Sequence, residues 1–149
     1  MRLSIGNDHA GLDLKHKIMS LLEEKGHSST DYGTFTTESC DYPDFATKVC
    51  QSIQNQDADL GILICGTGIG MSIAANKHTG IRAALVQDIF SAQATRQHNN
   101  SNILCLGARV LEPQMALDIV TTWLATPFEG GRHQRRLNKI AQVEQSSNN

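Results

Sequence analysis

Along the chain, short runs of apolar residues alternate with stretches in which apolar residues return every three or four positions. The first run, RLSIG (Arg2–Gly6), predicts a brief strand. Leu14, Ile18, Leu21 and Leu22 then recur at helical spacing, and Gly26 supplies a C-terminal stop. SSTDYG (28–33) is placed as a second strand by its position in the alternation. Asp41 can cap a helix starting at Tyr42 or Pro43, with Phe45, Ala46, Val49, Cys50 and Ile53 on its apolar face. Leu60–Cys65 is almost wholly apolar, as a strand buried on both faces should be. A short helix from Gly68 to Asn76 follows. RAALV (82–86) and NILCLG (102–107) predict two more buried strands, separated by a helix around Ser91–His98. Glu112–Ala125 predicts a helix burying Met115, Ile119, Val120 and Leu124. A final helix runs from His133 to Glu144, with residues 145–149 as a frayed tail.

Five strands alternating with helices define the α/β class, here a three-layer α/β/α sandwich around a five-stranded parallel sheet, Rossmann-like, in one domain spanning 1–149. Ligands of such sheets bind at the carboxyl ends of the strands. Asp8, His9, Cys65 and His98 are all expected at or near that edge.

Composition narrows the class of partner. With 40% hydrophobic and 19% charged residues the chain reads as an ordinary globular protein. Its formal net charge of −2 argues against a dedicated nucleic-acid or anionic-membrane surface, so any basic site is local. The N-terminus lacks an apolar signal core and no long uncharged apolar run occurs, which predicts a cytoplasmic protein without a membrane segment. Cys40, Cys50, Cys65 and Cys105 form no C-x-x-C pair, and no histidines stand in H-x-x-x-H spacing, so free thiols and no metal site are expected.

The chemistry concentrates in CGTGIGMS (65–72), where a thiol is followed by Gly66, Gly68 and Gly70. A dinucleotide fingerprint would need glycine at Met71, a Walker loop would need a lysine after Gly70, and a cysteine-phosphatase loop would need arginine at Met71. What remains is a thiol beside bare backbone amides at a helix start, a setting that stabilises an oxyanion and favours a thiolate. Three other constellations accompany it. Asp8 and His9 follow the first strand, His98 and Asn99 precede the last, and Arg132 and Arg136 share one helix face at a spacing suited to clamping a phosphate. Each alone also has a plain structural reading: a small apolar residue ending a strand, a helix cap, a cationic helix end, a solvated basic run. Together they point to chemistry on a phosphorylated small molecule.

DHAG, DYPDFA, GILICGTGIGMSIAANK, GIRAAL, RQHN, LGARV and FEGGRHQRR occur in this order over nearly the whole chain. In these strings the chain resembles the ribose-5-phosphate isomerase B family, which also includes allose- and galactose-6-phosphate isomerases. The resemblance implies an aldose–ketose isomerase that works through a cis-enediolate without cofactor or metal. It implies Cys65 as the base, Thr67 as the residue assisting proton movement at the sugar oxygens, and His98 as the group that opens the ring. The amides of Gly66, Gly68 and Gly70 would hold the enediolate. His9, Arg132 and Arg136 match the phosphate clamp, and Asp8, Tyr42, Asn99 and Arg109 match substrate contacts. It further implies a homodimer whose sites combine residues of both chains, with tetramers in some members. Asn7 and Asn100 depart from the cysteine and aspartate often found there, which affects local hydrogen bonding. Ribose 5-phosphate is the expected substrate; a hexose 6-phosphate isomerase and a non-catalytic sugar-phosphate-binding protein are the alternatives.

Overall fold

The computed structural model describes residues 1–149. Five strands, β1 (Arg2–Asn7), β2 (Ser28–Asp31), β3 (Leu60–Cys65), β4 (Ala83–Leu85) and β5 (Ile103–Gly107), form one sheet in the order β2-β1-β3-β5-β4. Every neighbouring pair is parallel. The helices are α1 (Leu12–Glu24), α2 (Tyr42–Gln54), α3 (Ile69–Ala75), α4 (Ile89–Asn99), α5 (Pro113–Ala125) and α6 (Arg132–Ser147). Parallel pairing demands a crossover after each strand, and the helices supply it on both faces. Leu14, Ile18 and Leu22 of α1 pack with Ile119, Val120 and Trp123 of α5 over Ile62, Ile64 and Leu104. On the other face, Val49 and Cys50 of α2 and Met71 and Ala75 of α3 cover Leu63, Cys65 and Cys105. This is the expected three-layer sandwich. No helix is long and apolar enough to cross a membrane.

Local sequence explains the helix ends. Gly26, at φ +78°, lets its amide bond Glu23 O while the His27 amide bonds Leu22 O, so two of the terminal carbonyls of α1 are satisfied beyond its last turn. α2 starts at Tyr42 as expected, yet the Asp41 side chain makes no capping hydrogen bond. Pro43 removes one of the amides that would need a cap. Fully buried Lys15 of α1 holds the following turn, its ammonium 3.0 Å from Asp31 Oδ2 and 2.7 Å from Thr34 O.

Three expectations are corrected. β4 is only half-buried, because β5 inserts between β3 and β4 and leaves β4 at the edge. α5 buries Ala116, Ile119, Val120 and Trp123 rather than Met115 and Leu124; Trp123 anchors that face by donating to Ser101 Oγ at 2.9 Å. The tail is not frayed from residue 145. α6 continues to Ser147, because Glu144 accepts the Gly80 amide and Asn148 donates to Thr79.

The chain leaves β1 toward β2 on one side and reaches β3 on the other. That reversal opens a crevice between the carboxyl ends of β1 and β3.

Candidate active site

The crevice is flanked by Asp8 and Cys65. Asn7 pairs with Ile64 in register, and the Asp8 amide extends the ladder to Ile64 O at 3.1 Å, which brings Asp8 alongside the end of β3. Asp8 Oδ1 accepts the Ala10 amide at 2.9 Å and caps the 3-10 turn His9–Gly11. The capping role is therefore real, and the second carboxylate oxygen is left for other partners. His9 Nδ1 accepts the Cys40 amide at 3.3 Å, which places the proton of the neutral ring on Nε2. Cys40, whose thiol lies 3.8 Å from the same nitrogen, was not singled out from sequence, where it is one isolated cysteine.

Cys65 is the last residue of β3 and is 5% exposed. Its Sγ accepts the Gly68 amide at 3.2 Å. Thr67 is exposed, with Oγ1 accepting the Ile69 amide at 3.2 Å. The turn is fixed by close backbone contacts. Gly68 has φ +79°, and a Cβ there would meet Leu85 Cδ1 at 2.6 Å and Leu106 C at 3.0 Å, so only glycine fits. A Cβ on Gly70 would meet the ring of Tyr42 at 2.6 Å. Gly107, at the end of β5, would collide with Thr67 O at 2.6 Å if it carried a Cβ. Arg109 donates its amide to Gly66 O at 2.9 Å and lays its guanidinium over Gly66. Gly107 is a positioning residue that sequence reasoning missed, since it reads as an ordinary strand end.

The other thiols differ in kind. Burial pushes the Cys50 thiol up to about 12, and burial with two neighbouring thiols pushes Cys105 higher still. Neither can supply a thiolate near neutral pH.

His98 corrects the expected placement. α4 descends from the carboxyl end of β4 to the amino end of β5, so its last turn lies at the amino edge of the sheet. Arg82, just before β4, donates to Asn99 O and Asn100 O, fixing that turn. Asn100 adopts a left-handed conformation (φ 44°), which its short amide side chain tolerates, and Arg96 donates to its Oδ1 at 3.1 Å. Arg132 and Arg136, both exposed, sit at the start of α6 beside it, where Glu129 N bonds Gln97 O and the His98 and His133 rings stack at 4.4 Å. The chain thus gathers Asp8, His9, Tyr42, Cys65, Gly66, Thr67, Gly68, Gly70 and Arg109 at the carboxyl end. It gathers His98, Asn99, Arg132 and Arg136 at the amino end. At about 3.3 Å per residue, the six residues of β3 separate these ends by roughly 20 Å. Asn7, the other departure noted in sequence, is buried, donates to Asp8 O at 2.8 Å and leaves Oδ1 unpartnered.

A cavity of about 860 Å³ lies at neither cluster. It runs along β4 between α4 and α6, is lined by Leu85, Val86, Ile140 and Val143, and touches only Asn99 among the candidate residues.

Comparison with known proteins identifies the family. The family described as Ribose/Galactose Isomerase matches residues 3–140. The chain is similar to ribose-5-phosphate isomerase B of Escherichia coli K12, at 46% identity over 99% of both chains. It is similar in structure to ribose-5-phosphate isomerase B of Clostridium thermocellum, with a TM-score of 0.97 and 48% identity over 99% of both chains. It is also similar to ribose-5-phosphate isomerase B of Mycoplasma genitalium, solved with bound ribulose-5-phosphate, with a TM-score of 0.93 and 45% identity over 97% of this chain and 96% of that one. By full-length sequence and by fold, the chain belongs to the ribose/galactose isomerase family.

Proposed function

We propose that the protein, acting as one domain over its whole length, interconverts ribose 5-phosphate and ribulose 5-phosphate through a cis-enediolate. The observation that carries this reading is Cys65 Sγ accepting the Gly68 amide in the crevice beside Asp8. As thiolate, Cys65 takes the proton from carbon 2. The C–H electron pair becomes the double bond to carbon 1, and the negative charge moves to the carbonyl oxygen. The amides of the Gly66–Gly70 turn meet that charge, a form of stabilisation that acts on the intermediate more than on the sugar. α3 is only two turns long, so the local amides rather than a long helix dipole do this. Thr67 exchanges protons at oxygens 1 and 2, and Cys65 returns its proton to carbon 1. His98 opens the furanose ring by taking the hydroxyl proton of carbon 1 and returning a proton to the ring oxygen. Asp8, Tyr42, Asn99 and Arg109 contact the sugar.

His98, Asn99, Arg132 and Arg136 then have to come from a second copy, because one chain holds them at the far end of its sheet. Two surfaces support a dimer. α3, which begins inside the glycine turn, exposes Ile69 (48%) and Ile73 (58%). The groove beside β4 presents Leu85, Val86, Ile140 and Val143 among polar side chains and reaches Asn99. Seating α3 of one copy against that groove would cover both surfaces and bring the two copies together beside Asn99. The family implies no cofactor, and four free thiols fit a reducing cytoplasm.

The relatives described above are named for ribose 5-phosphate, which favours the pentose over the hexose substrate. A pure binding protein would need the clamp but not the thiol. A coupled assay without added metal tests the reading. Ribose 5-phosphate should be turned over faster than allose or galactose 6-phosphate, and unphosphorylated ribose should be poor. Preference for a hexose phosphate, or no turnover, would refute it.

A further inference from the structure

At the amino end of the sheet, the rings of His98 and His133 lie face to face, with centroids 4.4 Å and planes 18° apart. Glu129, in the loop before α6, brings a carboxylate oxygen to 3.4 Å from His133 Nε2. One donor atom from each of the three lies within 4.8 Å of the others. We propose that His98, His133 and Glu129 bind a divalent cation of the zinc class, and that the bound cation withdraws His98 from catalysis. The second clause rests on the ring-opening role assigned to His98 above.

Two imidazoles and one carboxylate are a donor set that zinc, cobalt and nickel accept, whereas magnesium and calcium prefer oxygen throughout. With bonds of about 2.0–2.1 Å, tetrahedral zinc draws its donors to about 3.4 Å from one another, so the trio must tighten by about an ångström. The parts able to move are the right ones. His133 is buried and fixed, but His98 and Glu129 are exposed, and the His98 ring makes no hydrogen bond. A nitrogen lone pair lies in the plane of its ring, so one ring must swing out of the stack, and His98 is free to do so. Gly130 (φ +68°) and Gly131 (φ +56°) have open space around them, which lets Glu129 follow. Arg132 and Arg136 repel a cation and keep the site weak, as suits a reversible inhibitor rather than a structural metal. The lone pair given to the metal is the one His98 needs to accept a proton.

Calorimetric titration with zinc chloride tests the site. A variant carrying both Cys40→Ala and Cys65→Ala serves as the parent for binding, so that zinc held by an accessible thiol does not contribute. One zinc per chain is expected, weakened about tenfold or more by adding Glu129→Gln or His98→Asn, a scale that even outer-shell partners of a metal reach. Magnesium should not compete. In the Cys65-containing enzyme, zinc should suppress isomerisation reversibly, with a chelator restoring it. Glu129→Gln alone should keep basal activity and need about tenfold more zinc for the same loss. Absence of zinc uptake, uptake unchanged in both variants, or equal uptake of magnesium would overturn the proposal. Zinc uptake that obeys the variants without slowing turnover would uphold the site and instead remove His98 from ring opening.

Discussion

At the carboxyl end of the sheet the candidate groups are held by backbone. Cys65 ends a fully buried strand, Gly68 and Gly107 interlock the turn with β5, and the Asp8 amide continues the β1–β3 ladder. At the amino end the candidate groups are exposed side chains on helix termini, His98 and Asn99 leaving α4 and Arg132 and Arg136 entering α6. The first construction suits a charge that develops on the reacting carbons, where donors must be fixed before the reaction begins. The second suits capture of a phosphate, where long cationic arms supply attraction and tolerate adjustment. Damage to the first end should therefore appear in turnover, and damage to the arginines of the second in affinity.

The largest effect is expected from Cys65→Ala. Loss of the base should lower kcat by about 10²–10⁴ or more while substrate binding, measured by calorimetry, changes only a few-fold. Turnover near the parent rate would make Cys65 a mere strand end. Gly107→Ala comes next. Its Cβ would push the Thr67 carbonyl from 2.6 Å, backbone against backbone, and shift the glycine turn. A displacement of that kind costs about 10²-fold in kcat, and the overpacking lowers stability by about 1–3 kcal/mol in a denaturant titration. A KM effect without a kcat effect would break the contrast between the two ends.

Arg136→Ala probes the other construction. Removing one charge-assisted contact to phosphate should raise KM about ten- to a hundred-fold and leave kcat close to the parent. The smallest effect sharpens the electrostatics of the amino end. Arg82 and Arg96 both donate to Asn100, and burial lowers the pKa of both guanidiniums, with Glu144 partly offsetting this at Arg82 and Arg82 adding to it at Arg96. Asn100→Asp should add about 0.5–1 kcal/mol of stability at neutral pH. The new carboxyl would be held below its unfolded pKa of about 3.9, so the gain is present above that pH and vanishes as pH falls through the folded value. A gain that persists at pH 3 would show that charge is not its cause.

Much of this was legible in the sequence because the signals were local. The apolar run Leu60–Cys65 and the glycines after it dictate a buried strand and a bare turn without help from distant residues. Composition could not place β4 at the edge, since strand order depends on which crossover passes beneath which. Nor could it rotate α5 onto Trp123, whose partner Ser101 lies on another segment. The position of His98 was misjudged for a simpler reason. Proximity to a strand in sequence does not say which end of the sheet is near, and a helix that returns antiparallel carries its last turn to the amino edge. Gly107 and Cys40 were invisible because each matters only through a residue far along the chain, Thr67 and His9.

The separation of the two ends makes the central claim testable in one mixing experiment. Cys65→Ala and His98→Asn homodimers should each be nearly inactive, because each lesion falls in both sites. If a site draws Cys65 from one chain and His98 from the other, a mixed dimer carries both lesions in one site and none in the other. Co-refolding equal amounts should then restore roughly a quarter of parental activity, since about half of the dimers are mixed and each keeps one of its two sites. An inactive mixture in which native mass spectrometry detects the heterodimer would contradict the shared site.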